Sequence, residues 1–293
     1  MKIWFNGGLC EESQARVSVI DHGFLYGDGV YETLRVHRGR PLFLREHLAR
    51  LRSSCRLIRL PLPWPGSLLA RRARKTLLAN RLEEAVLRMN VSRGPGPVGF
   101  DTRDCKTPTL VMMERPLPDY PPALFKQGVT AAVVKTRRNH PLCLPPEAKS
   151  TNCLNGILAK QEAVRLGAFE GILLNLSGFV AEGTVSNVFA VRAGRLLTPH
   201  RSCGLLAGVT RNVIIRLARK EGIVVREVEM TLSEFARSSE VFLTNSLFGV
   251  MPVTKFAVIV SGAKQSRRVG DGKVGPVAKL LAERYRRAIG VFF

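Results

Sequence analysis

Apolar and polar residues alternate along this chain with two different periods, and the period changes from segment to segment. Val30 to His37 alternates with period two, which predicts a strand. Leu87, Met89 and Val91 alternate with polar neighbours in the same way, and Thr109 to Met113 predicts another strand. Between them the spacing is helical. Leu48, Leu51, Cys55 and Ile58 share one face of Arg45 to Ile58, and Leu68 to Asn80 forms a second helix. Trp4-Phe5-Asn6-Gly7-Gly8 reads as a strand entering a hairpin turn. The first third is a small α+β unit.

The segment Arg115-Pro116-Leu117-Pro118-Asp119-Tyr120-Pro121-Pro122 holds four prolines in eight residues. Proline restricts itself and its predecessor, so this stretch predicts an extended linker. The expected division is a small domain over 1–116, a linker over 117–123 and a large domain over 124–293. Strands are expected near 129–135, 171–175, 186–191, 223–228 and 240–244. Helices are expected near 155–166, 210–221 and 276–288. Thr231-Leu232-Ser233-Glu234 fits a capping box for one more short helix.

Composition narrows the class. The chain is 45% hydrophobic and 23% charged, ordinary for a globular protein. No apolar stretch approaches the roughly 20 residues that span a bilayer, and the N-terminus lacks a secretory core. The net charge is +22. No zinc, helix-turn-helix or stacking motif accompanies the cluster Arg71, Arg72, Arg74 and Lys75. The charges are therefore expected to spread over solvated faces, and nucleic acid is not expected as a partner. Six cysteines lie scattered without a C-x-x-C spacing, which predicts neither a zinc site nor a disulfide framework. A reduced, cytoplasmic protein with no metal is the expectation.

The candidate chemistry centres on Lys149, in Glu147-Ala148-Lys149-Ser150-Thr151-Asn152-Cys153. A helical run follows, Leu154, Ile157, Leu158 and Val164, ending at Gly167. The lysine thus lies just before a helix, where the chain can aim one amine. Glu182 falls between two strand-like segments, after the Ser177-Gly178 turn. Gly208-Val209-Thr210 opens a helix, and a helix N-terminus offers free N–H groups to an anion. Ser246 adds a hydroxyl after a strand, and Arg50 could add a cation. Each alone would be an ordinary surface group. Together they are what an enzyme needs to hold pyridoxal phosphate as a Schiff base: an amine, a carboxylate for the ring nitrogen, and donors for the phosphate.

These residues resemble the class IV, fold-type IV pyridoxal-phosphate enzymes: the branched-chain aminotransferases, the D-amino-acid aminotransferases and 4-amino-4-deoxychorismate lyase. The matching segments include Val17 to Glu32, Glu46-His47-Leu48-Ala49-Arg50-Leu51, Leu158 to Ala163 and Asp271 to Pro276. The resemblance implies a two-domain α+β fold of the D-amino-acid-aminotransferase type, with a small N-terminal α/β domain and a larger C-terminal one, in a homodimer. It implies Lys149 as Schiff-base lysine and proton carrier, and Glu182 facing the ring nitrogen. Arg50, the backbone of Val209 and Thr210, and Ser246 would hold the phosphate. Tyr31, Thr33 and Arg35 share one strand face, which in this family lines the pocket for a small, anionic, amino-acid-like substrate. Arg93 would serve there too.

Departures from the family's pattern bear on the reaction. Val98 and Phe100 stand where D-amino-acid enzymes carry an Arg and a His, and Cys153 stands where branched-chain enzymes carry a Tyr. Ser92 to Gly96, Thr244 to Val253 and Tyr31 to Arg35 look like the lyase. The tail from Asp271 to Pro276 is commoner in transaminases. The leading expectation is the lyase, releasing 4-aminobenzoate and pyruvate for folate. The alternative is an aminotransferase using branched-chain or D-amino acids with 2-oxoglutarate. A non-catalytic basic binding protein on the same scaffold is the remaining reading.

Overall fold

The computed structural model describes residues 1–260 and 263–291. The chain forms two compact units: Met1–Pro118 with Glu147–Cys153, and Asp119–Pro146 with Leu154–Phe293. The first break falls within the expected linker. The segment bearing Lys149 groups with the first unit, whereas proximity in sequence assigns it to the C-terminal domain.

The first unit is one antiparallel sheet covered by two helices. Its strands are β1 (Lys2–Phe5), β2 (Gly8–Glu11), β3 (Gly29–His37), β4 (Arg40–Pro41), β5 (Ala85–Ser92) and β6 (Thr109–Pro116), in the order β2-β1-β6-β5-β3-β4. Asn6 turns the expected hairpin with φ 48°, a left-handed value that Asn tolerates. Alternation decides which side of each strand is buried. Val30, Leu34 and Val36 of β3, Leu87 and Met89 of β5, and Leu110 and Met112 of β6 all join one core. Helix α2 (Leu44–Leu57) covers it with Leu48, Leu51 and Cys55, and α3 (Gly66–Asn80) covers it with Leu69, Ala73 and Leu77. Each buried Leu contributes roughly 1.5–3 kcal/mol. A five-residue helix, α1 (His22–Tyr26), escapes the periodicity because it is too short to show one. Its signals are its ends: Asp21 accepts from Gly23 N at 2.7 Å, and Gly27 closes it at φ 67°.

The second unit is built on a mixed sheet. In sequence come α4 (Pro122–Gln127), β7 (Val129–Val133), α5 (Leu154–Arg165), β8 (Glu170–Leu174), β9 (Val180–Gly183), β10 (Asn187–Arg192), β11 (Arg195–Pro199), α6 (Val209–Lys220), β12 (Val225–Val228), α7 (Leu232–Ala236), β13 (Glu240–Asn245), β14 (Gly249–Val260), β15 (Ala263–Arg268) and α8 (Pro276–Ala288). The strand order is β12-β11-β10-β13-β14-β7-β8-β9, with β15 paired to β14. Phe189 stacks on Phe242 across β10 and β13, with ring centroids 5.0 Å apart. The capping box at Thr231 forms with both of its hydrogen bonds.

Three local expectations change. Helix α4 starts at Pro122, inside the stretch expected as linker, because proline suits the first helical turn. Glu182 lies within strand β9 rather than in a loop. In α5 the large apolar residues face outward, with Leu154 61% and Val164 61% exposed, while Ala159 and Ala163 form the buried contact. Small residues let that helix sit close on its sheet. No helix among the described residues is long and apolar enough to cross a membrane.

Candidate active site

In the first unit, the segment of Lys149 is stitched onto strand β3. Tyr31 N donates to Lys149 O at 2.9 Å, Thr151 N donates to Gly29 O at 2.9 Å, and Val30 and Ser150 form an antiparallel bridge. From the other side, Lys149 N donates to Ser54 Oγ of α2 at 3.0 Å. Thr151 Oγ1 donates to Gly27 O at 2.7 Å. Gly29 must remain glycine, since a Cβ there would meet Val91 O at 2.8 Å. The backbone of the lysine is therefore fixed on both sides. Its ammonium lies 4.3 Å from the centroid of the Tyr31 ring, and Arg88 stacks on the same ring at 4.0 Å. Burial first, and then the neighbouring Cys153, pushes the Tyr31 hydroxyl above its usual value. The Cys153 thiol lies 3.7 Å from that hydroxyl.

Alternation along β3 explains the next group. Tyr31, Thr33 and Arg35 do share the partly open face, as expected. Glu32 has the opposite parity and points into the core, fully buried. Arg50 on α2 meets it with two bonds, Nε to Oε1 at 2.8 Å and Nη2 to Oε2 at 2.7 Å. His47, one turn earlier, lies 2.6 Å from Oε2. Burial pushes the Glu32 carboxyl up, but the charge and hydrogen bonds of Arg50 and the bond from His47 prevail and bring it down to about 2. Burial lowers the His47 value against the pull of Glu32, so a neutral imidazole donating through Nδ1 fits the pair.

Arg35 forms an ion pair with Glu84 at 3.0 Å. Arg93 is a correction. Its guanidinium is buried and clamps Asp28, with further bonds to Arg59 O at 2.9 Å and Ile58 O at 3.0 Å. All three of its nitrogens are engaged in holding the loop, so it is a brace and not a substrate contact.

In the second unit, Glu182 sits at the end of a short polar network. Its Oε1 pairs with Arg138 Nε at 2.7 Å. Its Oε2 accepts from Leu206 N at 3.0 Å and from Asn187 Nδ2 at 3.4 Å. Asn187 Nδ2 also donates to Leu206 O at 2.8 Å, which ties β10 to the loop before α6. Gly208 caps α6 and offers no side-chain hydrogen bond to its first turn. A Cβ on Gly208 would strike Asn187 Oδ1 at 2.0 Å. Val209 and Thr210 follow in that turn, both buried. Ser246 stands directly after β13, where Asn245 Oδ1 accepts from Leu247 N at 2.9 Å and from Phe248 N at 3.0 Å and shapes the turn.

The sequence reading did not find Glu32, His47, Ser54, Arg88, Arg138 or Asn187. One signal was present: a Glu at an inward position of β3, with His47 and Arg50 three apart on the covering helix. Arg138 and Asn187 gave none, because nothing in their spacing distinguishes them from loop residues.

The chemistry these parts offer is that of a lysine enzyme: a fixed primary amine in one unit, and in the other an oriented carboxylate beside an uncapped helix N-terminus suited to a phosphate. The model of the class IV aminotransferase family matches residues 29–256, and the chain belongs to that family. It is 38% identical, over 98% of its length and 96% of the other's, to a Methanocaldococcus jannaschii protein whose name as branched-chain-amino-acid aminotransferase is provisional. It superimposes on a T.th. branched-chain amino acid aminotransferase with pyridoxamine 5′-phosphate at a TM-score of 0.90, with 28% identity over 98% of this chain and 93% of that one. It also superimposes on the 4-amino-4-deoxychorismate lyase of Pseudomonas aeruginosa at 0.84, with 31% identity over 97% and 98% of the chains. The chain is thus an enzyme of the class IV family, and its cofactor is pyridoxal 5′-phosphate.

Proposed function

We propose that this protein is an aminotransferase for branched-chain amino acids with 2-oxoglutarate as acceptor. This reverses the order of the two leading expectations. The observation that carries it is similarity along almost the whole chain to a protein named for that activity, together with an intact Lys149 pinned to β3. In this reading Lys149 would hold the cofactor through its amine and carry the substrate's α-proton. Glu182 faces the ring nitrogen, with Arg138 and Asn187 fixing its two oxygens. The N–H groups of Val209 and Thr210, Ser246 and Arg50 hold the phosphate. Tyr31, Thr33 and Arg35 face the substrate, Arg35 sharing its charge with Glu84. The bound cofactor supplies the electron sink; the chain supplies position and a proton carrier.

A homodimer belongs to the same reading and is supported by the exposed apolar side of α5. A cytoplasmic setting is supported by six free cysteines. The lyase remains the second reading, favoured by the likeness to the Pseudomonas aeruginosa enzyme. One experiment separates them. The purified protein should absorb in the visible, and borohydride should fix the cofactor to Lys149, as read by peptide mass spectrometry. It should then transaminate Leu, Ile and Val and give no pyruvate from aminodeoxychorismate. Pyruvate and 4-aminobenzoate without transamination would install the lyase. A label on another lysine would remove Lys149.

A further inference from the structure

The expectation of evenly spread charge fails in the first unit. That unit holds 21 Lys and Arg against 12 Asp and Glu; ten and one of these lie between Leu44 and Arg81, so the rest carries eleven of each. All of the unit's excess charge therefore sits on the helical layer of α2 and α3.

The layer buries one side against the sheet, so the cations collect on the other. Arg45, Arg52 and Arg56 of α2 are exposed. At 100° per residue they fall in one narrow row, about 16 Å long at 1.5 Å per residue. On α3, Arg71, Arg74 and Lys75 form a second exposed cluster with helical spacing. Arg59 and Arg81 follow the two helices in sequence and are exposed as well. None of these eight cations makes an ion pair among the described residues. Elsewhere in the unit ion pairs are common, as with Lys2 and Glu11 or Arg115 and Glu12. Like charges at these spacings repel. Burial, and after it the charge of Arg71, lowers the pKa of Arg72, which stacks on Trp4 and Trp64 at 5.3 Å from each ring.

We propose that the outer face of α2 and α3 binds the phosphate backbone of double-stranded nucleic acid without regard to sequence. A duplex carries one negative charge per about 1.7 Å of axis, dense enough to offer every cation of these rows a phosphate. Seven of the eight cations are Arg, whose planar fork meets a phosphate with two parallel bonds. A duplex fits better than a single strand, because base stacking needs open aromatic rings. Trp64 is already covered by Arg72, and no aromatic side chain between Leu44 and Arg81 is exposed. This inference is independent of the aminotransferase reading.

The test uses the full chain and a labelled mixed-sequence duplex of about 30 base pairs, read by fluorescence anisotropy between about 50 and 200 mM salt. Binding should weaken steeply with salt and be indifferent to sequence. Replacing Arg45, Arg52 and Arg56 with Gln, or Arg71, Arg74 and Lys75 with Gln, should each lower the slope of log K against log salt by about 2–3, since each lost phosphate contact removes about 0.9. Gln keeps helix propensity, and unchanged far-UV circular dichroism confirms folding. The control replaces Arg216, Arg219 and Lys220 on α6 with Gln, which removes the same charge from the second unit, and should leave the slope intact. An equal loss in the control would overturn the proposal in favour of net charge alone. No duplex binding at the lowest salt would overturn it outright. So would binding to phosphatidylglycerol vesicles with none to the duplex.

Discussion

Glu32 and Glu114 lie in the same sheet, face the same helical layer and are both fully buried. Burial raises the cost of ionising each of them, yet the outcomes are opposite. Arg50 and His47 meet Glu32 from α2, and its carboxyl drops to about 2. Glu114 pairs across the sheet with Leu87, and neither of its oxygens has a hydrogen-bond partner among the described residues. Asn80 lies close enough to lower its value, but spends its amide on Lys2 O at 2.9 Å and Thr76 O at 3.2 Å. Burial therefore prevails and pushes Glu114 up to about 7. Depth alone does not decide the state of a carboxylate; the covering helix does. The paired one sits beside the lysine segment, and the unpaired one sits where no proposed function reaches.

The strongest way to break this contrast is Arg50→Ala. It strands a buried charge, which costs about 3–5 kcal/mol, and should appear as a lower midpoint in urea unfolding together with weaker cofactor binding. Arg50→Lys should rescue little, because a single ammonium cannot replace two parallel bonds. A loss below about 1 kcal/mol would mean that Glu32 protonates at no cost and the pairing is incidental.

The acid limb tests Glu32 directly. Its value falls from 4.5 unfolded to about 2 folded. The stability it contributes is present above pH 4.5 and is lost as pH falls towards 2, roughly 3 kcal/mol in all. Glu32→Gln should flatten this limb; an unchanged acid limb would show that other carboxylates dominate it.

Glu114 has the opposite sign. Its value rises from 4.5 to about 7, so the stability linked to it is present below pH 4.5 and lost as pH rises through 7. Glu114→Met should recover about 1–3 kcal/mol at about pH 8 and little at about pH 4. A variant less stable than the parent at the alkaline pH would mean the carboxylate has a partner after all.

Periodicity carried most of the first unit, because half-buried strands and amphipathic helices write their faces into the sequence. It failed where burial is two-sided or elements are short. Strand β9 is buried at every position and falls outside the expected strands. Helix α5 was found from its spacing, but the large apolar residues that show the spacing are exposed, and Ala159 and Ala163 make the buried contact. Lys149 could be proposed as the cofactor lysine from its neighbours in sequence. The groups that fix it, Ser54 and the backbone of β3, come from about a hundred residues earlier, and no local pattern announces such a pairing. Arg93 misled for the same reason: a cation in a loop says nothing of the Asp28 it will meet.

The stitching of Glu147–Cys153 onto β3 also has a consequence for synthesis. Pro118 leaves the ribosome about 30 residues ahead of Lys149, an interval of roughly 1–6 s at 5–20 residues per second. During that interval the backbone groups of Gly29 and Tyr31 that later hold the segment have no strand to receive. A nascent chain halted before Glu147 would therefore expose an unpaired sheet edge, which is the kind of surface that aggregates or recruits a chaperone. The amine of Lys149 arrives only with the strip that closes that edge, so the nascent chain cannot present it before the edge has its cover.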